Sequence, residues 1–112
     1  SLVDLVPEPA AKLIVGDTIV DVSDMITSVD DVSLAAGVTT QILAVKVARR
    51  EAIITNLAAN TQTLRIGDSN AGAARGVPLA PGATLILSTT AAIHGHNPGV
   101  AAESVAVIEV ED

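Results

Sequence analysis

Apolar and β-branched residues recur along the chain in short runs separated by turn-forming residues, and no stretch sustains the spacing of an amphipathic helix. The runs at 13–22, 41–48, 52–57, 61–67, 83–88, 91–94 and 104–110 are predicted strands. Several alternate with period two. Leu43, Val45 and Val47 fall on one face of their run, Gln62, Leu64 and Ile66 on another, and Leu85 pairs with Leu87. Ala106, Ile108 and Val110 likewise share a face. The opposite faces carry Ile42, Ile53, Ile86, Val105 and Val107, so these strands need cover on both sides, from a second sheet or from a neighbouring subunit.

Turn chemistry supports the same reading. Pro81-Gly82 suits the two central positions of a type II turn, and Ala58-Ala59-Asn60 suits a short hairpin with Asn60 left-handed. Residues 68–76 and Asn97-Pro98-Gly99 read as exposed loops. The first forty residues differ. Pro7 and Pro9 favour an extended arm, 13–22 reads as a strand or hairpin with a Gly-Asp break, and a short helix from Ser28 is the weak alternative for 25–34. The expected fold is all-β, a β-sandwich or jelly-roll-like barrel with an extended N-terminal arm. Residues 1–40 form the arm and added strands, and residues 41–112 form the core.

Composition sharpens this picture. In 112 residues, enough for one domain, 49% are hydrophobic, yet Phe, Trp, Tyr and Cys are all absent. The core must therefore be aliphatic. Disulfides, thiolate chemistry and Cys-ligated metals are excluded, as is stacking of bases or sugars on aromatic rings. A net charge of −7 disfavours nucleic acid and anionic membranes as partners. Residues 1–45 set seven acids (Asp4, Glu8, Asp17, Asp21, Asp24, Asp30, Asp31) against Lys12, whereas 46–75 set Lys46, Arg49, Arg50, Arg65 and Arg75 against Glu51 and Asp68. An acidic arm can thus meet a basic patch, within the chain or on a neighbouring copy. No run reaches the roughly 20 apolar residues of a membrane span, and Ser1-Leu2-Val3-Asp4 lacks the basic start of a secretory signal, so a soluble chain is expected.

Candidate chemistry is sparse. His94-Gly95-His96 places two imidazoles one residue apart, where an extended backbone would point both to one side, and Glu103 is a conceivable third metal ligand. The same residues read as polar positions of a Gly- and Pro-rich loop, and no other His is present to complete a cupin-type site. No Gly-x-Ser-x-Gly nucleophile motif occurs, Asp30-Asp31 lacks calcium-loop spacing, and Gly67-Asp68-Ser69-Asn70-Ala71-Gly72 lacks the Lys of a phosphate loop. No catalytic, cofactor or metal residue is therefore expected. Arg49-Arg50 at a strand junction is suited to bidentate contact with a partner's carboxylates; a solvated corner is the alternative.

The run Val47-Ala48-Arg49-Arg50-Glu51-Ala52-Ile53-Ile54-Thr55-Asn56, followed by Leu64-Arg65-Ile66-Gly67, resembles a pattern found in small structural proteins of tailed bacteriophages. The segment Gly76 to Leu87, with Leu79, Pro81-Gly82, Leu85 and Leu87, and the closing run Glu103 to Val110 are similar to later parts of the same pattern. The resemblance covers residues 45–112. It implies a virion component without enzymatic activity: a capsid decoration (cement) protein on the capsid surface, made in the host cytoplasm, with the major capsid protein and itself as partners, most plausibly as a homotrimer. A fibre or tail-associated receptor-binding module is the alternative, and a small cupin-like metal protein comes third. The expected contact residues are Leu2, Val3, Leu5, Val6, Leu13, Ile14 and Val15 of the arm, apolar groups that gain by burial against a partner, together with Arg49 and Arg50.

Overall fold

A computed structural model describes the backbone of residues 12–15 and 18–21 and residues 25–111 in full. Every regular element of more than one residue among them is a strand. β1 (Lys12–Val15) and β2 (Thr18–Asp21) pair with each other as an antiparallel ribbon. The remaining eight strands form two four-stranded antiparallel sheets. Sheet I has the order β3 (Ile26–Leu34), β10 (Glu103–Glu111), β5 (Arg49–Asn56), β8 (Thr84–Leu87); sheet II has β4 (Thr39–Leu43), β9 (Ile93–His96), β6 (Leu64–Gly67), β7 (Val77–Leu79).

The pairings nest: β3 with β10, β4 with β9, β5 with β8, β6 with β7. The chain runs out through four strands and back through four, and the long ribbon so formed is rolled across two sheets. This is jelly-roll connectivity in an open sandwich, not a closed barrel. Between the sheets lies an aliphatic core of Leu34, Ile42, Leu43, Ala52, Ile54, Leu64, Ile66, Leu79, Ile93, Val105 and Val107. Each fully buried Leu, Ile or Val contributes about 1.5–3 kcal/mol, and no aromatic residue is there to add more.

Beyond the one residue Met25, residues 25–34 form no helix. They include the nine-residue β3, and the reason is a bulge: Val32 faces Val105 and Val29 faces Val107, so three steps along β3 match two along β10. Val29 and Val32 both pack on the core at a spacing of three, which looks helical in the sequence. β3 and β4 are integral to the two sheets, so the sandwich begins at Ile26, within the segment expected to be arm and added strands.

A second bulge ends the regular pairing of β4 between Gln41 and Leu43 and buries both Ile42 and Leu43. The strand stops there. Val45 and Val47, expected to share a face with Leu43, are 66% and 89% exposed. The turn at Pro81-Gly82 is as expected, with Gly82 at φ 83° and Ala83 N–H donating to Ala80 O at 2.9 Å. The 58–60 hairpin is not formed: β5 and β6 lie in different sheets, the connection crosses between them, and Asn60 is not left-handed.

Candidate interaction surfaces

Alternation along these strands gives the molecule two ends and two outer faces. One end gathers the loops 35–38, 57–63, 80–83 and 97–102. Asn97 ties it together: its Nδ2 donates to Leu34 O (3.0 Å) and Ala101 O (2.8 Å), and its main chain pairs with Gly37 and Val38. Buried Asn56 donates to Gln62 O and Leu79 O, and Asn60 donates to Asn56 Oδ1 and Ser104 O. Glu103 accepts from both the N–H and the hydroxyl of Thr61, which hold its carboxyl below the ordinary range. These four loops contain no charged residue, and Val38 and Val100 are exposed on them. β3 enters and β10 leaves the sandwich at the opposite end, so this uncharged end is the tip.

The opposite end holds Lys46 and the pair Arg49-Arg50 that the sequence singled out. Arg49, expected to reach a partner's carboxylates, is 2% exposed. Its Nε donates to Glu109 Oε2 at 2.9 Å, one terminal nitrogen donates to Thr89 O and Ala91 O, and the other to Ala44 O. A bulge is the cause. Val110 faces Glu51 but Glu111 faces Arg49, so Arg50 is the extra residue and Arg49 is turned inward beside Ala52 and Ile54. Lys46 closes the cluster on Glu111 and, at 3.6 Å, on Glu109; the Glu111 contact raises its pKa above 10.5. Arg49 therefore belongs to the fold, and Arg50 is half-buried beside it.

His94 and His96 are not loop residues. They stand on β9, both on the outer face of sheet II, while Gly95 between them faces the core. A Cβ at Gly95 would come within 2.9 Å of Ile42 Cδ1 and Leu34 Cδ1, which explains the glycine without any ligand. Thr39 Oγ1 donates to Ala71 O and lies 3.0 Å from His96 Nδ1, so His96 carries its proton on Nδ1. His94 Nδ1 is buried with no hydrogen-bond partner among the described residues. Glu103 is engaged by Thr61 at the tip, and among the described residues no three His, Asp or Glu side chains stand close enough to hold a metal. The loop 68–76 folds back over this face, bringing Ala71 Cβ to 3.7 Å from where a Cβ of Gly67 would stand.

The outer face of sheet I is different in kind. Ser28, Ile108, Ile53 and Ile86 form one row across all four strands, in register. Ile26 faces Val110 in the next row, and Ala106 faces Thr55 on the other side. A shallow groove runs along this face, lined by Ser28, Ile53, Thr55, Ala106, Val107 and Ile108. Ile86 and Ile26 are 57% and 49% exposed. On β10 the core takes Val105 and Val107, and Ala106, Ile108 and Val110 are left outside.

Of the expected arm contacts, Leu2, Val3, Leu5 and Val6 lie outside the described residues. Leu13, Ile14 and Val15 stand on β1 at register positions opposite Val20, Ile19 and Thr18. Comparison of the chain with family models, with curated proteins and with solved structures finds no match in any of the three.

Proposed function

We propose that this chain is a structural component of a virion, one that binds the outer surface of a capsid through its N-terminal segment and reinforces contacts between capsid subunits as a homo-oligomer, a trimer. The fold alone does not choose among functions, since jelly rolls serve capsids, lectins and cupins alike. The observation that carries the proposal is the β1–β2 ribbon. Among the described residues it pairs with neither sheet of the sandwich, and its register pairs Leu13 with Val20 and Ile14 with Ile19. A two-stranded ribbon is marginal in water on its own and is stabilised by docking on something else. The resemblance of residues 45–112 to phage structural proteins names the setting. Many weak contacts multiplied by copy number suit such a role, and it needs no catalytic group.

Deleting residues 1–12 should abolish binding to capsids that lack the protein while leaving the far-UV circular dichroism of the sandwich intact. Normal capsid binding by the truncated protein would overturn the role of the N-terminal segment. One observation favours a second reading, a receptor-binding module of a fibre or tail. The uncharged tip, braced by Asn56, Asn60 and Asn97, faces away from the end where the chain enters and leaves. Adhesion of the intact protein to host cells, with no affinity for capsids, would select that reading.

A further inference from the structure

The two outer faces of the sandwich are treated differently. Sheet II presents Thr39, His94, His96 and Arg65 and is overlaid by the chain's own 68–76 loop. Sheet I presents a row of three isoleucines flanked by Ile26, Val110 and Ala106, with Ile86 and Ile26 exposed, the others half-buried and an open groove along the face. Contiguous exposed apolar area of this kind on a soluble domain marks an interaction site.

The same chain holds a matching element. Successive register pairs of an antiparallel ribbon belong to alternate faces. Leu13 with Val20 and Val15 with Thr18 take one face of β1–β2, and Ile14 with Ile19 takes the other. By the same alternation the register position of Lys12 and Asp21, at the ribbon's end, shares the face of Ile14 and Ile19, and Glu51 is at the border of the sheet I face. β2 ends at Asp21 and β3 begins at Ile26, so the ribbon is tethered by a short connection to the very border of the sheet I face, at the row of Ile26 and Val110. One sheet can cover only one side of such a ribbon. A ribbon with an apolar pair on each face is buried on both sides only between two surfaces, and sheet I of a single copy offers one.

We infer that the outer face of sheet I is a self-association surface whose occupant is a second copy of this chain, with the β1–β2 ribbon forming a layer shared between copies: one ribbon face lies on sheet I of one copy and the other on sheet I of another. This rests on the self-association part of the proposal above and is independent of the capsid.

The test is made on the full chain in solution, without capsids. Light scattering should give a multiple of the single-chain mass of 11.2 kDa. Replacing Ile53 and Ile108 by Thr, which keeps β-branching and suits an exposed strand, should return the mass to that of one chain, and Ile14→Thr with Ile19→Thr should do the same. A monomeric parent protein, or an oligomer that both variants leave intact, overturns the inference. Because the chain has no cysteine, a second measurement is clean even if a Thr variant fails to fold. Ile108→Cys is mixed with Leu13→Cys, and separately with Ile14→Cys, one for each ribbon face. Under mild oxidation a disulfide-linked heterodimer should appear in at least one mixture; its absence from both overturns the inference. A monomer that still binds capsids would refute shared-layer assembly and leave capsid decoration standing, whereas a cross-linked oligomer without capsid affinity would do the reverse.

Discussion

Replacing Arg49 separates a structural role from a docking role. Arg49→Ala removes the donors to Glu109 Oε2 and to the carbonyls of Thr89, Ala91 and Ala44. Losing one partner of a buried ion pair costs about 3–5 kcal/mol, because the other charge stays buried. Here Lys46 Nζ stays 3.6 Å from Glu109, and Ala44 and Ala91 sit in exposed loops where water replaces the lost donor. The lower end, about 3 kcal/mol, is therefore expected, against a total of about 5–15 kcal/mol for a domain. With no aromatic residue to report by fluorescence, urea unfolding is followed by far-UV circular dichroism. At an m-value of about 1.5 kcal/mol/M the midpoint should fall by roughly 2 M with m unchanged. Replacing Arg49 and Glu109 together by Leu should recover much of the loss, since an apolar pair of similar size leaves no orphan charge. A loss below about 1 kcal/mol for Arg49→Ala would refute the reasoning and return Arg49 to the set of residues free to meet a partner.

Two further outcomes follow from the same packing. Gly95→Ala should destabilise by about 1–3 kcal/mol through overpacking against Ile42 and Leu34, read as a lowered melting temperature, whereas His96→Gln should change it far less. Stability should be lost at both ends of the pH scale. Glu103 has a depressed pKa, so its contribution is complete above the ordinary carboxylate value of 4.5 and fades as pH falls through the lower folded value; Lys46 has a raised pKa, so its contribution is complete below 10.5 and fades as pH rises through the higher folded value. Glu103→Gln should remove part of the acid limb and Lys46→Met part of the alkaline limb in unfolding midpoints measured across pH.

Strands obeying strict alternation were legible in the sequence. β6, β8 and most of β5 lie within a residue or three of their expected bounds because Leu64 and Ile66, Leu85 and Leu87, or Ala52 and Ile54 keep period two. Legibility fails at bulges. The β3 bulge gives Val29 and Val32 a helical spacing, the β4 bulge buries neighbours Ile42 and Leu43, and the β5 bulge turns Arg49 inward. In each case one extra residue shifts the phase of everything beyond it, and no residue type announces where that happens. The predicted strand 91–94 stops short of His96 for a related reason. Gly95 reads as a loop residue, yet it is there because the core at Leu34 and Ile42 has no room for a Cβ.

The apolar outer face of sheet I was visible as a problem and hidden as an answer. Both alternations of β10 are apolar, so period two offers two candidate core faces: Ala106, Ile108 and Val110, or Val105 and Val107 with Glu103 and Glu109 in line. The acids argue for the first choice, because a lone carboxylate is costly to bury. The fold takes the second, because Thr61 and Arg49, distant in sequence, arrive to satisfy Glu103 and Glu109. Two residues from elsewhere in the fold, Thr61 in the loop before β6 and Arg49 on β5, thus decide which face of β10 is the interior. Once they do, Ile108 and Val110 are left outside beside Ile53, Ile86 and Ile26, on the face that the proposed self-association would cover.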